Sequence, residues 1–341
     1  MRQVVIDGPG AVRVVDAPDP VLPGADGAVV TVTSTAICGS DLHFFDGDIP
    51  VGDGIAVGHE FVGTVAEVGP DVRRFRPGDR VLTASVTGCG YCDGCATGDP
   101  VTCIEGPKVF GSGALPGGQA SAVAVPSADF QLLSIPEGMD DESALLLTDN
   151  LGTGWIGAQR ADFPAGGTVV VLGLGAVGLC AVRSALALGA GRVLAADPVA
   201  GRRSLASDSG AVPMEGPTVE AVLDATAGRG ADAVIDAVAS DATLGDALTC
   251  VRAGGTVSVI GVHDLQPFAL PVLTGLFRSI TLRMTTAPVH ATWKTLVPLV
   301  VNGRLRTDGI FTHRFSLSEA PQAYAAAAAR SAACIKVMMQ P

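Results

Sequence analysis

The chain has 341 residues, 48% of them hydrophobic and 16% charged, which suits two self-supporting cores and excludes a disordered chain. Its formal charge of -12 argues against nucleic acid or an anionic membrane as partner, because both reward a surplus of Lys and Arg. An anionic ligand would need local donors.

The opening run "MRQVVIDGPGAVRVVD" is broken by Asp7, Gly8 and Pro9, so it lacks a signal-peptide core, and a reducing, cytoplasmic setting is expected. Up to about residue 147 the pattern is short alternating segments ("AVVTVTSTAI", "FVGTVAEVG", "DRVLTASV", "ASAVAVP") separated by Gly, Pro and Asp turns. Period-two runs of this kind predict an antiparallel, barrel-like domain. Within it, "AICGSDLH" and "VGHE" supply Cys38, Ser40, Asp41, His43, His59 and Glu60. Sulfur plus imidazole suits zinc, and two such ligands with a carboxylate from elsewhere leave a coordination position open. Each residue alone also reads as core, Cys38 as a small hydrophobe and His59 as a satisfied histidine.

Residues 88–103, "GCGYCDGCATGDPVTC", place Cys89, Cys92, Cys95 and Cys103 in CxxCxxCx7C spacing. In a reducing compartment clustered thiols are metal ligands more often than disulfides. Four thiolates around one zinc ion leave no open position, so the expected site is closed and structural; an iron–sulfur cluster is the competing reading. Just before the cluster, the stretch "LTASVTG" is small and polar at Ala84 and Ser85.

From about residue 150 the rhythm changes to strands alternating with helices, which means βαβ units and a parallel sheet. "TVVVLGLGAVG" carries GxGxxG at Gly173, Gly175 and Gly178, after a predicted strand and opening a predicted helix that rules out a membrane span by its Arg183 and glycines. With Ala176 and Val177 between them, these glycines form a turn that holds a dinucleotide pyrophosphate at a helix N-terminus. Asp197 falls about 20 residues further on, at the end of the next strand, where a carboxylate accepts from the ribose hydroxyls and repels a 2′-phosphate; NAD is therefore favoured over NADP. Arg202 and Arg203 lie close enough to blur that preference. Ile260, Gly261 and Val262 end a later strand and are candidates to line the nicotinamide pocket. Cys180, Cys250 and Cys334 read as core, and His263, His290 and His313 as structural. The last 40 residues read as a helix and a closing strand.

Taken together, "CGSDLH", "GHE", the cysteine cluster, "RPGDRV" and "GLGAVG" resemble, in order and across the whole chain, the zinc-dependent medium-chain alcohol dehydrogenases. The resemblance implies an α/β chain in which a doubly wound Rossmann sheet (150–288) is inserted in a GroES-like, mainly β catalytic domain (1–149, with a zinc lobe at about 86–105, and the return at 289–341). It implies two zinc ions per chain: a structural one in the cysteine cluster and a catalytic one on Cys38, His59 and Asp149 of "LLLTDN". Zinc would stabilise an alkoxide that passes hydride to NAD, with Ser40 and His43 relaying the proton. Asp41 would fix the tautomer of His59, and Glu60 is similar to a glutamate that approaches the metal during ligand exchange. Thr153 would wall the nicotinamide, and Lys336 of "CIKVMM" would reach the cofactor phosphate. The implied partners are a small alcohol or carbonyl compound, with a polyol or sugar as the alternative, and further copies of the chain in a dimer or tetramer. A non-catalytic nucleotide-binding redox sensor is the reading from another class.

Overall fold

The run of apolar and small residues between 28 and 37 becomes strand Ala28–Ile37 of a computed structural model that describes residues 1–50, 52 and 54–341. The chain divides into two compact units, each taken by itself. The first comprises Met1–Gly152, Pro288–Val301 and Phe311–Pro341. Along one edge of strand Ala28–Ile37 runs Glu60–Val68, antiparallel, followed by Arg80–Thr83 and Leu132–Ser134. Its other edge is shared, with Ala122–Val125 pairing at 28–31 and the closing strand Lys336–Gln340 pairing at 35–37. Phe311–Ser316 completes this mostly antiparallel sheet by lying parallel to the closing strand. Val30, Phe61, Val81, Phe110 and Leu132, all fully buried, fill one side. On the opposite side, Ile6, Tyr324, Val337 and Met339 form another core, so the chain's end is built into its beginning.

The second unit comprises Thr153–Ala287 and Asn302–Ile310. Its six strands are all parallel, in the order Val212–Pro213, Arg192–Ala196, Thr168–Leu172, Ala231–Asp236, Val251–Val259, Thr281–Met284. Strand order runs outward in both directions from Thr168–Leu172, which is the doubly wound arrangement. Val169, Val170 and Val171 are fully buried, as expected of a central strand covered on both faces.

One boundary differs from expectation. Residues 302–310 fall within the predicted C-terminal return, yet they cluster with the second unit. The half-buried guanidinium of Arg183 holds them there by donating to the carbonyls of Arg306 (3.0 Å) and Asp308 (2.8 Å). Among the described residues no helix is long and apolar enough to cross a membrane.

Candidate active site and metal centres

Antiparallel pairing creates the first centre. Cys38 follows the end of strand Ala28–Ile37, His59 precedes the start of Glu60–Val68, and Ala36 is paired with Glu60, so sulfur and imidazole emerge at the same end of the sheet. Asp149 arrives from the break between helices Asp141–Thr148 and Asn150–Arg160. Ligand atoms of Cys38, His59, Glu60 and Asp149 all lie within 4.8 Å of one another. Asp149 Oδ2 is 3.8 Å from Cys38 Sγ and 3.9 Å from His59 Nε2. Tetrahedral coordination at about 2.0–2.3 Å puts neighbouring ligands about 3–4 Å apart, so thiol, imidazole and carboxylate fit a zinc ion. Burial and the nearby Glu60 carboxylate push the Cys38 thiol above its ordinary value. A cation in the site would reverse that and release the proton.

Supporting groups surround these ligands. Asp41, the third residue of helix Gly39–Asp46, accepts from the Cys38 backbone N–H (2.9 Å) and from Gln119 Nε2 (3.1 Å), while its other oxygen lies 3.4 Å from His59 Nδ1. A carboxylate there favours the tautomer that presents Nε2 to a metal. Although burial disfavours a charged ring, Asp41 and Cys38 hold the His59 pKa well above the ordinary histidine value. Ser40 Oγ is 3.5 Å from His59 Nε2. His43 sits one turn further along the same helix, its Nδ1 3.0 Å from Asp48 Oδ2.

Lys336, expected from the resemblance to reach a cofactor phosphate, is placed differently. It opens the closing strand beside Ile37, and its buried ammonium donates to the Ile37 carbonyl (3.1 Å) and to Glu60 (2.8 Å). Asn150, not singled out from the sequence, donates to both Glu60 Oε1 (3.0 Å) and Asp149 Oδ2 (3.2 Å). Its place next to Asp149 was the only available signal. Glu60 is thereby tied to a cation and an amide.

The cysteine cluster is a separate centre in the same unit. Cys89, Cys92, Cys95 and Cys103 converge around the short helix Asp93–Ala96. Sγ of Cys89 and Cys95 are 4.0 Å apart, and the Cys89 N–H donates to Cys103 Sγ at 3.3 Å. N–H groups of Cys95 and Ile104 draw the Cys92 thiol down to about 6, whereas burial pushes Cys95 up to about 12. A Cβ on Gly88 would lie 2.6 Å from Cys95 Sγ, so glycine is needed for the loops to close on the sulfurs. Four converging thiols with amide donors fit a closed tetrahedral zinc site.

In the second unit, Gly173 adopts φ 82°, and a Cβ on Gly178 would stand 1.8 Å from the Gly173 carbonyl oxygen. Both glycines serve the turn itself. A Cβ on Gly175 would meet nothing within 4 Å, so its bareness leaves an approach for a ligand at the start of helix Ala176–Ala187, where Ala176 and Val177 form the first turn. Asp197 accepts from the N–H groups of Leu174 and Val199, both at 2.8 Å. Arg202 Nη1 is 3.8 Å from Asp197 Oδ2, and Arg203 donates to the Asp197 carbonyl at 2.7 Å. Ile260 is buried, Gly261 packs against the Val238 backbone, and Val262 is exposed. Thr153 lies on helix Asn150–Arg160.

These centres can be set beside known proteins. Residues 24–137 match the family model described as the alcohol dehydrogenase GroES-like domain, and 176–302 match the zinc-binding dehydrogenase model. A probable zinc-binding alcohol dehydrogenase of Mycobacterium tuberculosis is 59% identical over the whole chain and 89% of its own length. The chain belongs to the zinc-dependent alcohol dehydrogenase family. Among solved members, the alcohol dehydrogenase TADH from Thermus sp. ATN1 is 36% identical with a TM-score of 0.92, covering 100% of this chain and 99% of that one. A zinc-binding dehydrogenase of Sinorhizobium meliloti, bound to NADP, is 29% identical with a TM-score of 0.86, covering 100% and 99%. Membership makes the protein an oxidoreductase with the family's GroES-like and Rossmann architecture.

Of the histidines read as structural, His290 has the most defined setting. Its ring stacks on Phe130 with centroids 4.3 Å apart, and Nε2 lies 3.0 Å from Gln131 Oε1. Burial holds its pKa down to about 3, against an ordinary 6.5, and Nδ1 has no hydrogen-bond partner among the described residues. The neutral ring belongs to the folded state, so its contribution is complete above pH 6.5 and is lost as pH falls below that value. Between neutral pH and about pH 5 the loss should be roughly 1–2 kcal/mol, reduced by the ring's partial exposure. Urea unfolding of the wild type and of His290→Phe checks this, with the variant gaining relative stability as pH drops.

Proposed function

We propose that the protein oxidises a small alcohol, or reduces the matching carbonyl compound, using zinc held by Cys38, His59 and Asp149 and NAD bound at the Gly173–Gly178 turn. The observation that carries this reading is the convergence of soft sulfur, imidazole and carboxylate within 4.8 Å, with Glu60 beside them already engaged by Lys336. Three protein ligands leave a coordination position for substrate. When bound, the ion supplies Lewis acidity to a substrate oxygen and the nicotinamide accepts hydride.

The chain's own residues then handle position and protons. Asp41 fixes the ring of His59, Ser40 Oγ takes the substrate proton, and His43 passes it outward with Nδ1 engaged by Asp48. A second zinc ion, in the cysteine cluster, braces the lobe around it. Leu273, Leu276 and Phe277 expose 66%, 70% and 80% of their area on helix Val272–Arg278, an apolar face that a second copy would cover. This supports a homo-oligomer.

A panel of primary, secondary and polyol substrates with NAD or NADP tests the reading, together with metal analysis expected to give two zinc ions per chain. NAD should be preferred by about tenfold or more in kcat/KM, because the Asp197 carboxylate repels a 2′-phosphate. A preference for NADP would mean that Arg202 outweighs Asp197.

A further inference from the structure

In the sequence Ser85 stands out only as a small polar residue just before the cysteine cluster. Its side chain does something else. Ser85 lies between strands Arg80–Thr83 and Val86–Thr87 and is 3% exposed. Its N–H donates to the Thr148 carbonyl at 3.0 Å, and its own carbonyl accepts from Phe110 N–H at 3.2 Å. That clamps the serine to the residue just before Asp149. Its hydroxyl then donates to Asp149 Oδ1 at 3.1 Å. The other oxygen, Oδ2, is the one that faces Cys38 Sγ at 3.8 Å and His59 Nε2 at 3.9 Å, and it accepts from Asn150 at 3.2 Å.

We propose that Ser85 is a positioning residue that makes Asp149 a one-oxygen ligand. A carboxylate can offer a metal one oxygen or two. Two oxygens from Asp149 would crowd the position that substrate must enter, whereas a hydroxyl bonded to Oδ1 keeps that oxygen turned away and fixes the direction of Oδ2. Hydrogen-bond partners of this kind change metal affinity by about 10–100-fold when removed. Because the single Ser85 proton is engaged by Asp149, Ser85 offers a substrate less polarity than its sequence suggests.

The inference rests on the reading of Cys38, His59 and Asp149 as a zinc site, and the test separates the two. Purified zinc-loaded wild type, Ser85→Ala, Ser85→Thr and Cys38→Ser are compared for the rate of zinc transfer to a chromogenic chelator and for the visible absorption of the Co2+-substituted proteins. Ser85→Ala should release the metal of this site about 10–100-fold faster and shift the Co2+ bands, while Ser85→Thr, which keeps the hydroxyl, restores both. If Ser85→Ala changes only KM and leaves metal release and the Co2+ spectrum as in the wild type, Ser85 merely lines the pocket and the proposal is wrong. Cys38→Ser sets the reference. Loss of one metal ion in Cys38→Ser with no change in Ser85→Ala overturns the positioning role alone, and no change in either overturns the zinc site as well.

Discussion

Replacing Cys38 by serine should leave a folded protein that has lost one metal ion per chain and at least about 1,000-fold in kcat/KM for alcohol oxidation. The fold survives because Cys38 is the residue that begins helix Gly39–Asp46, a position where serine is among the preferred residues. The change removes one sulfur and no large volume from a site that is already 8% exposed. What it removes chemically is the soft anionic donor. A serine hydroxyl stays neutral, so the ligand set would keep only His59 and Asp149, and Glu60 is restrained by Lys336 and Asn150 from taking the empty place. Circular dichroism, metal content and kcat/KM together check the outcome. Full activity with one ion fewer would take Cys38 out of the mechanism, and a redox sensor without catalysis would show no turnover before or after the change.

How much of this was legible without coordinates depends on the distance over which each interaction acts. The cysteine cluster is local, since loops of a few residues can close on one ion, and its spacing carries the geometry. The glycine turn is local too, because strand, turn and helix follow one another in the chain. Cys38 and His59 were legible only through a familiar pattern. What joins them physically is the register that sets Ala36 opposite Glu60. Lys336 was misplaced because the sequence of a closing strand does not say which neighbour it will have; pairing beside Ile37 turned a surface cation into a buried one. The contacts of Ser85 and Asn150 with Asp149 were hidden for a different reason. Serine and asparagine are common in loops and at helix ends, and only tertiary contact distinguishes a hydroxyl bonded to Asp149 from one facing water. The return of residues 302–310 to the second unit was hidden likewise, since the contacts that accompany it, such as those of Arg183 with backbone carbonyls, are far apart in sequence.

The largest effect on stability should come from Lys336→Met, at about 3–5 kcal/mol. Glu60 is fully buried, and Lys336 is the cation beside it, at 3% exposure. Burial alone would lower the lysine pKa, but Glu60 and then Cys38 hold it above the ordinary 10.5. The folded-state value is raised, so the pair's contribution is present throughout neutral pH and fades only as pH rises beyond 10.5. Methionine fills the lysine's volume but leaves the Glu60 carboxylate, among the described residues, with Asn150 as its remaining side-chain donor. The carboxyl group must then take up a proton, or move toward any cation that Cys38, His59 and Asp149 would hold, since their ligand atoms are within 4.8 Å of its own. In the second case the substrate position is filled, and activity falls while metal is retained. A double-mutant cycle decides between a charge effect and simple packing: Lys336→Met with Glu60→Gln should recover most of the stability lost in Lys336→Met, because no uncompensated charge remains. Should denaturant unfolding instead place Lys336→Met within about 1 kcal/mol of the wild type, the pair would be incidental to stability, and Asn150 would be the remaining restraint on Glu60.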